Sequence, residues 1–299
     1  MKGCAGRPAS GRGVIEMIYI TGDTHGPAPI GLYSVDGFGS RLNKENFPEQ
    51  KEMTRDDYVI ICGDFGGIWN YDSRYDPAKS SFREKICLDH GESKEEKYWL
   101  DWLSEKPFTV LFCDGNHENH DRLAGAYPEI NFHGGRAHRI RENVYHLMRG
   151  FVFDLQGLSF FVFGGAASHD ISDGILRPCE YETEKEFKAQ YRRLQRAGAF
   201  FRVDHVSWWE TELPSREEME RGIRNLKERG FYADFIITHC APSSVAAEAG
   251  YDGEDRLSRY LEEIKGKIGF QKWFFGHYHE SRALSEKYIM LYEQIIRIR

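Results

Sequence analysis

Short, continuous apolar runs recur along the chain between longer polar stretches. Met17–Thr21, Tyr58–Cys62 and Thr109–Cys113 are the first three. Runs of this length without alternation predict strands buried on both faces, as in a parallel sheet covered by helices. Phe151–Leu155 and Leu158–Phe163 flank Gln156-Gly157, which predicts a hairpin. Phe235–Thr238, Lys272–Phe275 and Tyr288–Tyr292 add further strands. Helical spacing takes over between them. Lys94–Leu103 places Tyr98, Trp99, Trp102 and Leu103 on one helical face, and Thr183–Arg196 predicts a second helix. A third opens at Ser215 with Glu218 three residues on, a capping-box pattern, and stops at Gly230.

Strands that alternate with helices predict an α/β domain running from residue 17 to 299. The stretch 166–230 is long for a connection between core strands and reads as a helical insertion or cap beside the active site. Residues 1–16, rich in Gly, Ala, Arg and Ser without apolar period, read as a flexible leader. Met17 would then be the natural start, with a genuine tail as the other reading.

Composition narrows the class. Hydrophobic residues make up 40% and charged residues 29% of the chain, ordinary for a globular protein, and no apolar run is long enough to span a bilayer. The net charge of −7 argues against a protein wrapped around long nucleic acid, although a local basic patch would keep nucleic acid open as a partner. None of the six cysteines forms a C-x-x-C pair, and Cys62 and Cys113 lie in apolar runs. They read as packed thiols of a reducing, cytoplasmic setting rather than a disulfide framework.

Candidate chemistry gathers at the ends of five predicted strands. Asp23 and His25 follow the first in Gly22-Asp23-Thr24-His25-Gly26, and Asp64 follows the second in Gly63-Asp64-Phe65-Gly66-Gly67. Gly115-Asn116-His117-Glu118 follows the third. His239 ends the run Phe235–Thr238, and His277 and His279 follow Lys272–Phe275. Ligands in open α/β sheets collect outside the carboxyl ends of strands, where separate loops aim side chains at one point. Carboxylate, imidazole and amide oxygen together suit borderline divalent ions such as Mn, Fe, Co or Zn. Any one of these segments is ordinary loop polarity; five in this order are a metal site.

This set of motifs resembles the calcineurin-like metallophosphoesterase superfamily, from Met17 to about Tyr292. The resemblance implies the metallo-dependent phosphatase fold, a two-sheet β-sandwich flanked by helices. It implies two divalent ions, Mn favoured, one held by Asp23, His25 and His279 and the other by Asn116, His239 and His277, with Asp64 bridging. It further implies that a hydroxide held between the ions attacks the phosphorus, with no covalent enzyme intermediate. His117, outside the implied ligand set, would protonate the leaving group.

The protein Ser/Thr phosphatases of that superfamily carry an aspartate and an arginine after this second motif; here Gly67 and Ile68 stand in their places. A carboxylate partner for His117 would come from Asp72, Asp89 or Asp170. A phosphate-holding arginine would come from elsewhere, with Arg122 and Arg177 as candidates and a solvated surface role as the alternative for each. His169, in the loop that opens the insertion, is a third candidate substrate contact. Gly67–Asp72 and Gly164–Asp170 read as pocket walls. The expected function is therefore hydrolysis of a small phosphomonoester or phosphodiester. A nuclease and a protein phosphatase are the alternatives within the superfamily, and a non-catalytic metal-binding scaffold is the alternative of another class.

Overall fold

The computed structural model describes residues 16–27, 37–69 and 92–299. Most of the expected leader, the candidate carboxylates Asp72 and Asp89, and the expected pocket residues Asn70, Tyr71 and Asp72 lie outside the described residues.

The apolar runs form two sheets. The strands in chain order are β1 (Ile18–Thr21), β2 (Tyr58–Ile61), β3 (Thr109–Phe112), β4 (Glu129–Phe132), β5 (Gly135–Arg141), β6 (Val144–Leu147), β7 (Phe151–Leu155), β8 (Leu158–Phe163), β9 (Ile175–Leu176), β10 (Arg202–Val203), β11 (Phe235–Thr238), β12 (Lys272–Phe275), β13 (Arg282–Ala283), β14 (Tyr288–Met290) and β15 (Ile295–Arg297). One sheet has the order β15-β1-β2-β3-β6-β5-β4, and the other β13-β14-β12-β11-β8-β7. In the first, β1, β2, β3 and β6 run parallel; in the second, β8, β11, β12 and β14 do. Antiparallel strands close the edges of both sheets.

Side chains alternate across each strand, and the alternation sorts the core into layers. Ile18, Ile20, Ile60 and Leu111 of the first sheet meet Phe153, Phe160, Val162, Ile237 and Phe274 of the second between the sheets. Tyr19, Val59, Ile61, Val110 and Phe112 point the other way, onto Phe38, Leu100 and Leu103 of the helices Phe38–Arg41 and Lys94–Ser104. On the opposite face, Phe161, Phe163, Ile236, Trp273 and Phe275 pack on Leu226, Val245, Leu257, Leu261 and Ile264, which belong to the helices Arg216–Glu228, Ser243–Ala249 and Arg256–Lys265. The result is a two-sheet sandwich with helices outside both sheets, as expected. The turn between β7 and β8 holds left-handed backbone at both Gln156 (φ 50°) and Gly157 (φ 77°), the conformation a two-residue hairpin requires.

Residues 166–230 do two different things. Between β9 and β10, which pair in parallel, the helix Glu184–Ala197 is fixed by a capping box of Thr183 and Glu186. Its Phe187 joins Leu176 and Val203 in a small core of their own. The helix Arg216–Glu228 also starts with a capping box, Ser215 and Glu218, but its Leu226 packs into the main core on the second sheet. The segment between is pinned to the helix His120–Gly125, which follows β3: His205 Nδ1 and Trp209 Nε1 each lie 2.7 Å from Asp121 Oδ2. Among the described residues no helix is long and apolar enough to cross a membrane.

Candidate metal centre

The loops after β1, β2, β3, β11 and β12 meet at one end of the sandwich. The first sheet delivers Asp23, His25, Asp64, Asn116 and His117; the second delivers His239, His277 and His279. Backbone hydrogen bonds lock the loops together. Thr24 N and His25 N donate to Asp64 O at 3.0 and 2.7 Å, and His117 N donates to Asp64 Oδ1 at 2.8 Å. His277 N donates to both Asp23 oxygens at 2.9 Å. The Asp23 carboxylate, on the first sheet, therefore caps the loop of the second.

Half of the described non-glycine residues with left-handed backbone lie at this site. His25, Asp64, His277 and His279 all have positive φ, between 43° and 72°. Left-handed backbone at a residue other than glycine costs about 1–3 kcal/mol and persists only where surroundings over-determine it. Glycine is needed beside the ligands for closeness. A Cβ on Gly276 would stand 1.9 Å from Asp23 Oδ1, and one on Gly63 would stand 2.3 Å from His239 Nδ1.

Three overlapping groups of side chains each bring their ligand atoms within 4.8 Å of one another: Asp23, His25 and His279; His25, Asp64 and His117; and Asp23, Asp64 and His239. His25 Nε2 and His279 Nε2 are 2.9 Å apart, and Asp23 Oδ2 is 3.8 and 3.5 Å from them. On the other side, His239 Nε2 is 3.2 Å from Asp64 Oδ1 and 3.3 Å from Asn116 Oδ1. The His277 ring lies against it, with centroids 5.0 Å apart. Of the seven residues expected from the sequence, Asp23, His25, Asp64, His239 and His279 bring their ligand atoms together, Asn116 Oδ1 joins them at His239, and His277 stands against them by its ring contact with His239.

The donor set fits divalent cations. His239 Nδ1 faces Cys62 O at 2.9 Å; a carbonyl only accepts, so Nδ1 carries the proton and Nε2 is turned to the carboxylates. Burial pushes Asp23 up to about 7 against the pull of His239. Burial would lower His239, but Asp64 and Asp23 outweigh it and hold the ring at about 10. A proton thus stands where the carboxylates call for a cation. Burial lowers His25 to about 3 and drops His277 well below the ordinary imidazole range, so both rings offer lone pairs. Asn116 Nδ2 is buried without a partner among the described residues, while its Oδ1 faces the cluster.

The residues expected around the metals fall into two groups. His117 stands at the cluster, its ring 5.0 Å from that of His25 and 6.1 Å from Trp69. His169 is also there, 5.9 Å from the His277 ring. Arg122 is not available to substrate: its side chain is 4% exposed and forms a buried ion pair with Glu96, with Nη2 donating to Tyr127 Oη at 2.9 Å. Arg177 lies 3.9 Å from Glu180 and against the Trp208 ring, with no contact to the cluster among the described residues. Arg122, just beyond the third motif, and Arg177, in the insertion, are thus both engaged away from the cluster.

Two participants were not expected. Glu118 is fully buried and accepts from Gly66 N (3.2 Å) and Gly115 N (2.7 Å); burial pushes its carboxyl up to about 8. It braces the second motif against the third, and its place directly after His117 was the available signal. Arg202 of β10 brings Nη2 to 3.1 Å from His117 Nε2 and Nε to 2.8 Å from Asp170 Oδ1. Asp170, one of the three carboxylates considered for His117, therefore reaches it through an arginine. No local pattern around Arg202 announces this; the contact spans 85 residues.

A comparison with curated proteins finds no match. The model of the calcineurin-like phosphoesterases matches residues 17–281, which include every residue of the cluster. The chain belongs to the calcineurin-like phosphoesterase family.

Proposed function

We propose that the protein is a dinuclear metal-dependent hydrolase of phosphomonoesters or phosphodiesters. The observation that carries this reading is the convergence of the ligand atoms of Asp23, His25, Asp64, His239 and His279, with Asp23 and Asp64 each shared between overlapping groups and with Asn116 and His277 beside His239. Asp23, His25 and His279 would hold one ion, Asn116, His239 and His277 the other, and Asp64 both. When bound, the pair of ions would acidify a water to serve as nucleophile and offset charge on the phosphoryl oxygens.

The chain's own residues do the rest. Cys62 O fixes the His239 tautomer, and the peptide of His277 fixes Asp23. His117 is held from its backbone by Asp64 and flanked by Trp69, a placement suited to protonating a leaving oxygen. His169 would line the substrate side. Ile68, at the position where a protein phosphatase would present arginine, is fully buried in the core, which favours a small phosphorylated substrate over a phosphoprotein. Mn²⁺ is the favoured ion for this mixed oxygen and nitrogen set. The buried thiols Cys62, Cys113 and Cys240 support a reducing, cytoplasmic setting.

The test compares hydrolysis of bis(p-nitrophenyl) phosphate and p-nitrophenyl phosphate by the Mn²⁺-loaded protein, with Asp64→Asn as the blank. Turnover of either, lost in the variant, supports the reading, and the preferred substrate separates diesterase from monoesterase. Bound metal with no turnover of these esters, short oligonucleotides or phosphopeptides would leave the non-catalytic scaffold.

A further inference from the structure

The loop after β2 brings no cation to the site among its described residues, and Arg122 and Arg177 are engaged with Glu96 and Glu180. Arg202 does reach it. The two-stranded β9–β10 sheet carries this side chain in to 8% exposure. Its Nε lies 2.8 Å from Asp170 Oδ1 as an ion pair, Ser207 O accepts from Nη1 at 3.2 Å, and Nη2 faces His117 Nε2 at 3.1 Å.

Guanidinium keeps its charge in proteins and has five N–H donors and no acceptor. In the Arg202 contact His117 Nε2 is therefore the acceptor. Hydrogen bonds occupy one donor on Nη1 and one on Nη2, while the Asp170 contact is an ion pair without hydrogen-bond geometry, so the planar fork keeps N–H donors to spare next to His117. The charge is nearly withdrawn from water, with the half-exposed Asp170 as its ion-pair partner, the buried Glu212 within electrostatic reach, and a ring rather than a carboxylate against Nη2. The charge is not required to dock the segment, which Asp121 already holds through His205 and Trp209. A phosphoryl oxygen beside His117 would complete its coordination.

We propose that Arg202 is the phosphate-anchoring residue of this site, donating to a non-bridging oxygen of the substrate's phosphoryl group next to His117. This rests on the phosphoesterase reading above. The β9–β10 segment thereby supplies from a remote part of the chain the arginine that the second motif lacks. Charge-assisted hydrogen bonds from a planar fork are specific to guanidinium, so lysine is a poor replacement.

The experiment measures binding of inorganic phosphate to the Mn²⁺-loaded protein by calorimetry, with metal content and hydrolysis of the preferred nitrophenyl ester alongside, for wild type, Arg202→Ala and Arg202→Lys. Phosphate affinity is expected to fall by about 10- to 100-fold in Arg202→Ala, the size of a lost hydrogen bond to a charged group, with metal content unchanged. Added guanidinium ion should restore part of the hydrolysis in Arg202→Ala. Unchanged phosphate affinity in folded, metal-loaded Arg202→Ala overturns the proposal, even where kcat falls, because Arg202 would then act only by positioning His117. Should Arg202→Ala fail to fold, Arg202→Gln, which keeps a donor for Ser207 O, carries the same comparison. A wild type that holds metal but neither binds phosphate nor turns over ester overturns the phosphoesterase reading itself; a competent wild type with an indifferent variant overturns Arg202 alone.

Discussion

His117 is the residue whose role the geometry tests most sharply. Its ring belongs to one of the three groups able to hold an ion, with His25 and Asp64, yet its Nε2 faces the Arg202 guanidinium, a poor neighbour for a metal-binding nitrogen. His117→Asn is therefore expected to keep both metals and to slow turnover by about 10²- to 10⁴-fold, the usual worth of general acid catalysis. Metal analysis beside kinetics decides it: loss of an ion from the variant would make His117 a ligand. The candidate ligands were legible in the sequence because each sits within a few residues of a strand end. Arg202 was not, because its approach to His117 is set by tertiary packing of a separate small core. Arg122 misled for the converse reason. It is close to His117 in sequence, but it lies in the first turn of the helix His120–Gly125 and is drawn to the buried Glu96.

At the scale of elements, that pair makes a prediction of its own. Truncating Arg122 to Ala strands a carboxylate inside the protein, which costs about 3–5 kcal/mol. Urea unfolding should show that loss, while kcat and KM of the folded enzyme stay as in wild type; a raised KM with intact stability would return Arg122 to the substrate site. Strands β5 and β6 carry a second element-scale effect. His138 Nδ1 and His146 Nδ1 meet at 3.0 Å, and burial, aided by His146, lowers His138 to about 4. Unfolded histidine takes a proton near pH 6.5. Between about pH 6.5 and 4 the unfolded chain binds a proton that folded His138 refuses, so stability falls as pH falls through that window and levels off below it. His138→Gln should show a shallower loss in urea melts at pH 7, 6 and 5; equal slopes would exclude His138 as a source. These strands were not foreseen. The β5 sequence Gly135–Arg141 carries three arginines among its seven residues, and the edge strand β4 is only half-buried on alternate residues, so neither offers a continuous apolar run. The helix Arg256–Lys265 was not foreseen either, although Leu257, Tyr260, Leu261 and Ile264 lie on one face behind an Asp255 cap.

For the whole molecule, the position of the site matters more than the strength of any contact within it. The parallel strands β1, β2 and β3 and the strands β11 and β12 were evident as apolar runs, and their common direction places five ligand loops at one end. How the two sheets face one another was implied by family resemblance and not by periodicity, since strands buried on both faces look alike whichever layer they join. Ions held as proposed would tie one sheet to the other: Asp23, Asp64 and Asn116 come from the first, and His239, His277 and His279 from the second. Unfolding separates these donors, so the ions bind the native state almost alone and stabilise it by mass action. At a free ion concentration a thousand times Kd this amounts to about 4 kcal/mol per site, and a domain of this size shifts by roughly 2–4 °C per kcal/mol. Thermal melts after chelation should therefore fall by roughly 10 °C or more and recover on adding Mn²⁺. The same titration on Asp64→Asn should lose most of its Mn²⁺ dependence, because the carboxylate placed to serve both ions is gone. A melting temperature indifferent to chelator in a protein shown to have lost its metal would mean that the sheets are held by the interlayer core alone. The five loops would then have converged to position substrate, without the ions contributing to the cohesion of the fold.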